Sequence, residues 1–172
     1  MTPAGKESAE HAGAPPLTVD VEICCDPGGV PGEEFLRLWV GRALAAANVE
    51  LPGAAEVALR VVSPDEIRAL NSRYRGRDRP TNVLSFPAER PAGLPDDVPA
   101  TLGDIVVCAA VVAAEAAEQD KAGEAHWAHM LVHGTLHLLG FDHAAPAEAT
   151  RMETLEAEIL ARSGIADPYT AA

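Results

Sequence analysis

The chain has 172 residues, 48% of them hydrophobic, and its 26 acidic against 13 basic side chains leave a formal net charge of −13. That length suits one domain with one sizeable core. No apolar run reaches membrane-span length, and the opening MTPAGKESAEHAGAPP holds no apolar export segment, so a cytoplasmic protein with no membrane attachment is expected; the acidity disfavours a nucleic-acid partner, DNA included, unless positive charge gathers at one place.

Residues 1 to 16 are small, polar and interrupted by Pro and Gly, which predicts a disordered tail over 1–16 and a single domain over 17–172. Leu17–Ile23, LTVDVEI, alternates apolar and polar residues and reads as a strand. Cys24 and Cys25 are adjacent and Cys108 is an odd third, a poor framework for disulfides or a zinc chelate. All three read as reduced thiols that pack as small buried apolar residues. After the break at CDPGGVPG, Glu33–Asn48 carries helical periodicity with acids in its first turn. EVALRVV is a second strand, and Ser63 with Glu66 forms a capping box for a helix opening at Pro64. TNVLSF (Thr81–Phe86) is a third strand, PAERPAGLPDDVPATLG a long exposed loop, and Asp104–Cys108 a fourth strand. Three helices follow: the Ala-rich AAVVAAEAAEQD, one from near Glu124 to Gly140, and one from about Pro146 to Ser163 with Gly164 at its end.

The chemistry gathers in HGTLHLLGFDH, His133 to His143. His133 and His137 are four residues apart, so both imidazoles project from one helical face. Gly140 ends the helix and turns the chain, which lets His143 return as a third ligand. Three neutral imidazoles leave a fourth position for water or substrate, as in a catalytic zinc site; nickel or copper would also accept these donors. His126 and His129 fall on nearly the same face. His129 reads as a neighbour of the ligands or a substrate-facing group, His126 as a cap or surface residue. The spacing is that of a metzincin protease, but Gly134 stands where the protease has its glutamate base, which disfavours peptide hydrolysis by that route. Asp142 either supplies a carboxylate base or fixes the turn and hydrogen-bonds a ligand imidazole. The fold class expected is α+β, a single domain with a small mixed sheet of about four strands, about five helices, and the metal site at the end of a central helix.

A second signal is LNSRYRGRDRPTNVLSF, Leu70 to Phe86. Arg73, Arg75, Arg77 and Arg79 reverse the local sign of an acidic chain, opposed there only by Asp78. Guanidinium groups grip phosphate in two-point contacts and stabilise charge developing on it, which a peptide substrate does not require.

Together with LGDI (Leu102–Ile105) and HWAHMLVHGTLHLLGFDH, this segment resembles the bacterial YbeY family of rRNA-maturation endoribonucleases, in order from about Leu17 to DPY (Asp167–Tyr169). The resemblance implies zinc on His133, His137 and His143, and places the family's functional arginine at Arg75. It implies a single-strand-specific, metal-dependent endoribonuclease that matures the 3′ end of small-subunit rRNA and serves ribosome quality control. Arg75 would then hold the scissile phosphate, helped by Arg73, Arg77 or Arg79. An acidic surface suggests that the ribosome or an assembly factor delivers the RNA. Two other readings stand beside it: a metzincin-like metallopeptidase or other zinc hydrolase, and a non-enzymatic ribosome-assembly factor whose metal is structural.

Overall fold

The computed structural model describes residues 16–170, so the tail expected over 1–16 lies, Pro16 apart, outside the described residues. The elements run β1 (Leu17–Ile23), α1 (Glu33–Ala46), β2 (Ala55–Val62), α2 (Pro64–Arg75), β3 (Val83–Pro87), β4 (Ala100–Cys108), α3 (Ala109–Glu118), α4 (Gly123–Leu138) and α5 (Pro146–Ala161). The sheet order is β1-β2-β4-β3. β1, β2 and β4 are mutually parallel, while β3 runs antiparallel to β4 as an edge strand. This is the small mixed α+β sheet that the alternating segments imply. No described helix is long and apolar enough to cross a membrane.

Side-chain alternation divides the sheet between two cores. Val83, Ile105 and Val107 point to the larger core, built with α1, α4 and α5, while Leu84, Val106 and Cys108 point to a smaller one under α2. α2 begins as its sequence requires: the Ser63 hydroxyl accepts from the Glu66 amide at 3.3 Å, and Gly76 closes the helix in the left-handed region at φ 67.

Several boundaries differ from expectation by one to four residues, three of them for reasons visible in the fold. β4 starts at Ala100 rather than Asp104, because the Ala100 amide donates to the Ala54 carbonyl at 2.7 Å and draws Thr101–Gly103 into the sheet. Gly103 is what makes this extension possible: its φ is +135, and a Cβ there would collide with the Phe86 carbonyl oxygen. α1 ends at Ala46, short of Asn48, which takes a positive φ of 50. β3 opens at Val83, whose amide donates to the Asn82 side chain at 2.6 Å. The cysteines are free, but only Cys108 is buried; Cys24 is exposed and Cys25 half-buried, since both stand past the end of β1.

α4 is the central helix and is buried on almost every side, as an all-round apolar helix must be. It lies closest to the sheet at Gly134, where an added Cβ would meet Ile105 Cγ2 at 3.0 Å, Ser85 Oγ at 3.2 Å and Val83 Cγ2 at 3.3 Å. The Ser85 hydroxyl donates to the Gly134 carbonyl at 2.8 Å, which fixes the register of helix on strand. Gly134→Ala is therefore expected to lose about 1–3 kcal/mol of stability in urea unfolding, the cost of overpacking a tight contact. Gly41→Ala in α1, where the new methyl meets only Leu17 at 3.7 Å, is expected to gain about 0.5–1 kcal/mol in the same measurement.

Candidate metal centre

The end of α4 is built as the histidine spacing requires. The helix closes in a left-handed glycine cap: Gly140 takes φ 92, its amide donates to the His137 carbonyl, and the Phe141 amide donates to the Leu136 carbonyl, each at 3.1 Å. The chain then doubles back, so that the His143 ring centroid comes within 5.0 Å of His137 and 5.8 Å of His133. His133 and His137 are closer still, with ring centroids 4.6 Å apart and Nε2 atoms 3.1 Å apart.

The ring of His133 is oriented from behind by a residue of α5. Its Nδ1 donates to Glu156 Oε1 at 2.5 Å, and Glu156 is fully buried. A proton held at Nδ1 leaves a lone pair at Nε2, on the side facing His137. Tyr169, from the C-terminal segment, donates its hydroxyl to the other oxygen, Glu156 Oε2. His129 Nε2 lies 3.2 Å from that hydroxyl and 3.4 Å from Glu156 Oε2. Burial alone would push the Glu156 carboxyl up; the hydrogen bonds from His129 and His133, the charge of His133 and the Tyr169 hydroxyl outweigh it and hold the carboxyl at about 2. Burial and the adjacent carboxylate push the Tyr169 hydroxyl up, so it stays protonated as a donor. His137 moves the other way: burial first, then His133 and His143, against the opposing pull of Asp142, bring it down to about 4. It is a neutral imidazole at neutral pH, the form that binds metal.

Two sets of side chains bring potential ligand atoms within 4.8 Å of one another, His129 with His133 and Glu156, and His137 with Asp142 and His143. Either set is close enough to hold an ion. In the first, however, His133 Nδ1 is already hydrogen-bonded to Glu156, and His129 Nε2 lies against the Tyr169 hydroxyl. Between the two sets, the facing nitrogens of His133 and His137 lie 3.1 Å apart. Two imidazole nitrogens on one tetrahedral ion would stand about 3.3 Å apart at bond lengths of about 2.05 Å. The donors present therefore fit a divalent metal.

Around this cluster, Asp142 Oδ1 accepts from the His143 amide at 2.7 Å, which fixes the turn, and lies 3.7 Å from His143 Nδ1. His129 is buried against Glu156 and Tyr169. His126, expected as a cap or surface residue, is instead 3% exposed and donates to Glu115 at 2.8 Å, because α4 is covered by α3 along that face. Arg75 ends α2, and Arg73, Arg75, Arg77 and Arg79 are all exposed. None forms an ion pair among the described residues, and Asp78 is taken by Arg68 in a two-point contact at 2.9 and 3.1 Å. These arginines make no contact with the histidines: α2 and α4 cover opposite faces of the sheet. They do share one end of it. Tyr74 packs on Phe86, which pairs with Asp104. The adjacent Gly103 is the residue that Leu138, at the end of α4, approaches from the other face.

The sequence pattern does not single out Glu156 or Tyr169. A signal existed for Glu156, an acid standing in the apolar stripe Met152, Glu156, Ile159, Leu160 of α5. Tyr169 carries none, since its partner is reached only through the tertiary fold.

A family model described as Endoribonuclease YbeY matches residues 31–164. The chain is 64% identical over 139 residues to an Endoribonuclease YbeY of Halorhodospira halophila, covering 81% of this chain and 88% of that protein. It is 54% identical over 157 residues to an Endoribonuclease YbeY of Alkalilimnicola ehrlichii, covering 91% and 93%. Among solved structures it is similar to the solution structure of TM1509 from Thermotoga maritima, with a TM-score of 0.53 and 27% identity, over 90% of this chain and all of that one (100%).

Removing the buried brace should weaken metal binding without emptying the core. Glu156→Gln and Tyr169→Phe are each expected to lower zinc affinity about 10- to 100-fold in a chelator competition. The Tyr169→Phe variant keeps the ring that packs at 5.5 Å from His129 but takes the hydroxyl donor from the buried Glu156, so its metal-free form should lose about 1–3 kcal/mol of stability in thermal unfolding.

Proposed function

The chain belongs to the Endoribonuclease YbeY family, and from that footing we propose that it is a zinc-dependent endoribonuclease that cleaves single-stranded RNA. Its substrate in this reading is rRNA, at the 3′ end of the small-subunit molecule and in ribosome quality control. It works in the cytoplasm, with the ribosome or an assembly factor presenting the RNA. The observation that carries the proposal is the convergence of the His133 and His137 ring nitrogens at 3.1 Å, at the end of the sheet where Arg75 also lies.

His133, His137 and His143 would hold the ion, with Glu156 setting the tautomer of His133 and Asp142 bracing His143. Zinc held there supplies Lewis-acid polarisation of a phosphoryl oxygen and lowers the pKa of water to about 7. Arg75 binds the scissile phosphate and stabilises the charge that builds on it, with Arg73, Arg77 and Arg79 gripping neighbouring phosphates. His129, through Glu156, keeps the His133 ring in place beside the substrate. Gly134 supports this reading over a peptidase. Its added Cβ would run into Ile105, Ser85 and Val83, so a glutamate base there has no room unless α4 leaves the sheet.

Wild type, His137→Ala and Arg75→Ala, compared for bound metal and for cleavage of single-stranded RNA and of peptide, test the proposal. His137→Ala is expected to lose both metal and RNA cleavage. Arg75→Ala is expected to keep its metal and lose about 10²- to 10³-fold in kcat. RNA cleavage retained by both variants would overturn the mechanism, and peptide cleavage that survives Arg75→Ala would favour a metallopeptidase. A 2′,3′-cyclic phosphate product would identify the RNA's own 2′-OH as nucleophile in place of water.

A further inference from the structure

On the α2 face of the sheet, a groove of about 370 Å³ is lined by Arg60, Leu70, Tyr74, Phe86, Asp104 and Val106. Tyr74 is 57% exposed, more than any other large apolar side chain among the described residues. It is nevertheless held firmly. Phe86 meets its ring edge-on at 5.0 Å and 64°, and the Arg73 guanidinium lies 5.3 Å from its centroid. Arg73 and Arg75 flank it in sequence and have no carboxylate partner among the described residues. The Asp104 side chain is exposed on the groove and has no hydrogen-bond or ion-pair partner among the described residues.

A fixed aromatic ring with a cationic rim suits a single-stranded nucleic acid, whose base stacks on the ring while its phosphates meet the arginines. A free carboxylate in the same groove can accept from the exocyclic amine of a base. The position agrees with this. Asp104 and Phe86 are cross-strand partners, and Leu138 of α4 packs on the next residue, Gly103, from the opposite face. The groove and the histidine centre therefore flank the same end of edge strand β3, and a strand of RNA crossing that edge reaches both.

We infer that this groove holds one unstacked nucleobase of the RNA whose backbone enters the metal centre, with Tyr74 as the stacking platform and Asp104 as an acceptor for an amino-bearing base. The inference rests on the endoribonuclease reading and adds a source of its strand preference. A base paired in a duplex reaches the groove only by leaving its stack, at a cost that single-stranded RNA does not meet.

The test is stopped-flow fluorescence of the full chain mixed with a short single-stranded RNA carrying one 2-aminopurine, read before cleavage, beside steady-state cleavage of the same RNA. Stacking should quench the probe with wild type and with Tyr74→Phe. Tyr74→Ala should bind roughly 5- to 100-fold more weakly, with KM raised and kcat within about twofold. Asp104→Ala should weaken binding of oligoadenylate and leave oligouridylate unchanged; an equal effect on both would overturn the amine contact. Circular dichroism checks that each variant is folded. Quenching and affinity in Tyr74→Ala equal to wild type would overturn the groove and leave the nuclease reading intact wherever wild type cleaves. Tyr74-dependent quenching without any wild-type cleavage would support the groove and remove the nuclease reading.

Discussion

How closely α4 lies on the sheet decides where every histidine of the site stands. The approach is set at Gly134, where Ile105, Ser85 and Val83 leave no space for a side chain and the Ser85 hydroxyl takes hold of the backbone. Successive residues of a helix are turned by about 100°. Facing position 134 to the sheet therefore sets 133 and 137, about 100° and 60° around the helix from it, together on one flank beside the sheet. A bulkier residue at 134 would lift or roll the helix and separate rings whose nitrogens now stand 3.1 Å apart. The glycine that removes a protease base is thus also a packing requirement. One position answers both to the fold and to the chemistry.

The second constraint is the buried carboxylate. An unpaired Glu156 in this core would cost several kcal/mol or take up a proton. Here its oxygens are occupied by His133 and Tyr169, with His129 beside them. The arrangement ties three distant parts of the chain together: α4 supplies the imidazole of His133, α5 the carboxylate, and the C-terminal segment the hydroxyl. The geometry of the cluster is therefore a product of the complete tertiary fold, even though its histidines lie within one short stretch.

That difference explains what could be read from the sequence. The three-histidine spacing was legible because helical periodicity and the Gly140 cap are local rules, and the same is true of β1 and of the start of α2 at its Ser63 cap. The early start of β4 was not, because Thr101–Gly103 joins the sheet through a bond to Ala54 and a glycine at φ +135, not through any β-rich pattern. The burial of His126 is hidden from the sequence for a similar reason: whether a helical histidine is exposed depends on which helix covers it, here α3 with Glu115. Tyr169 is the extreme case, a residue near the chain end whose partner lies on another element and whose own neighbourhood carries no signal.

Net charge misleads in the same way, because it sums over groups that the fold has already paired. Arg60 is paired to Glu66 and Glu22, Arg37 to Glu33, and Arg68 to Asp78. The last pair removes the only acid within the arginine loop and leaves Arg73, Arg75, Arg77 and Arg79 unopposed among the described residues. β3 then links that loop to the histidine cluster by alternation alone: Ser85 faces α4 and binds Gly134, while the next residue, Phe86, faces α2 and supports Tyr74. A register slip of one residue would exchange these faces and dismantle both supports together. The antiparallel pairing of Val83–Pro87 with β4, which sets Pro87 opposite Gly103, is what holds the arginine loop and the histidine cluster at one end of the sheet.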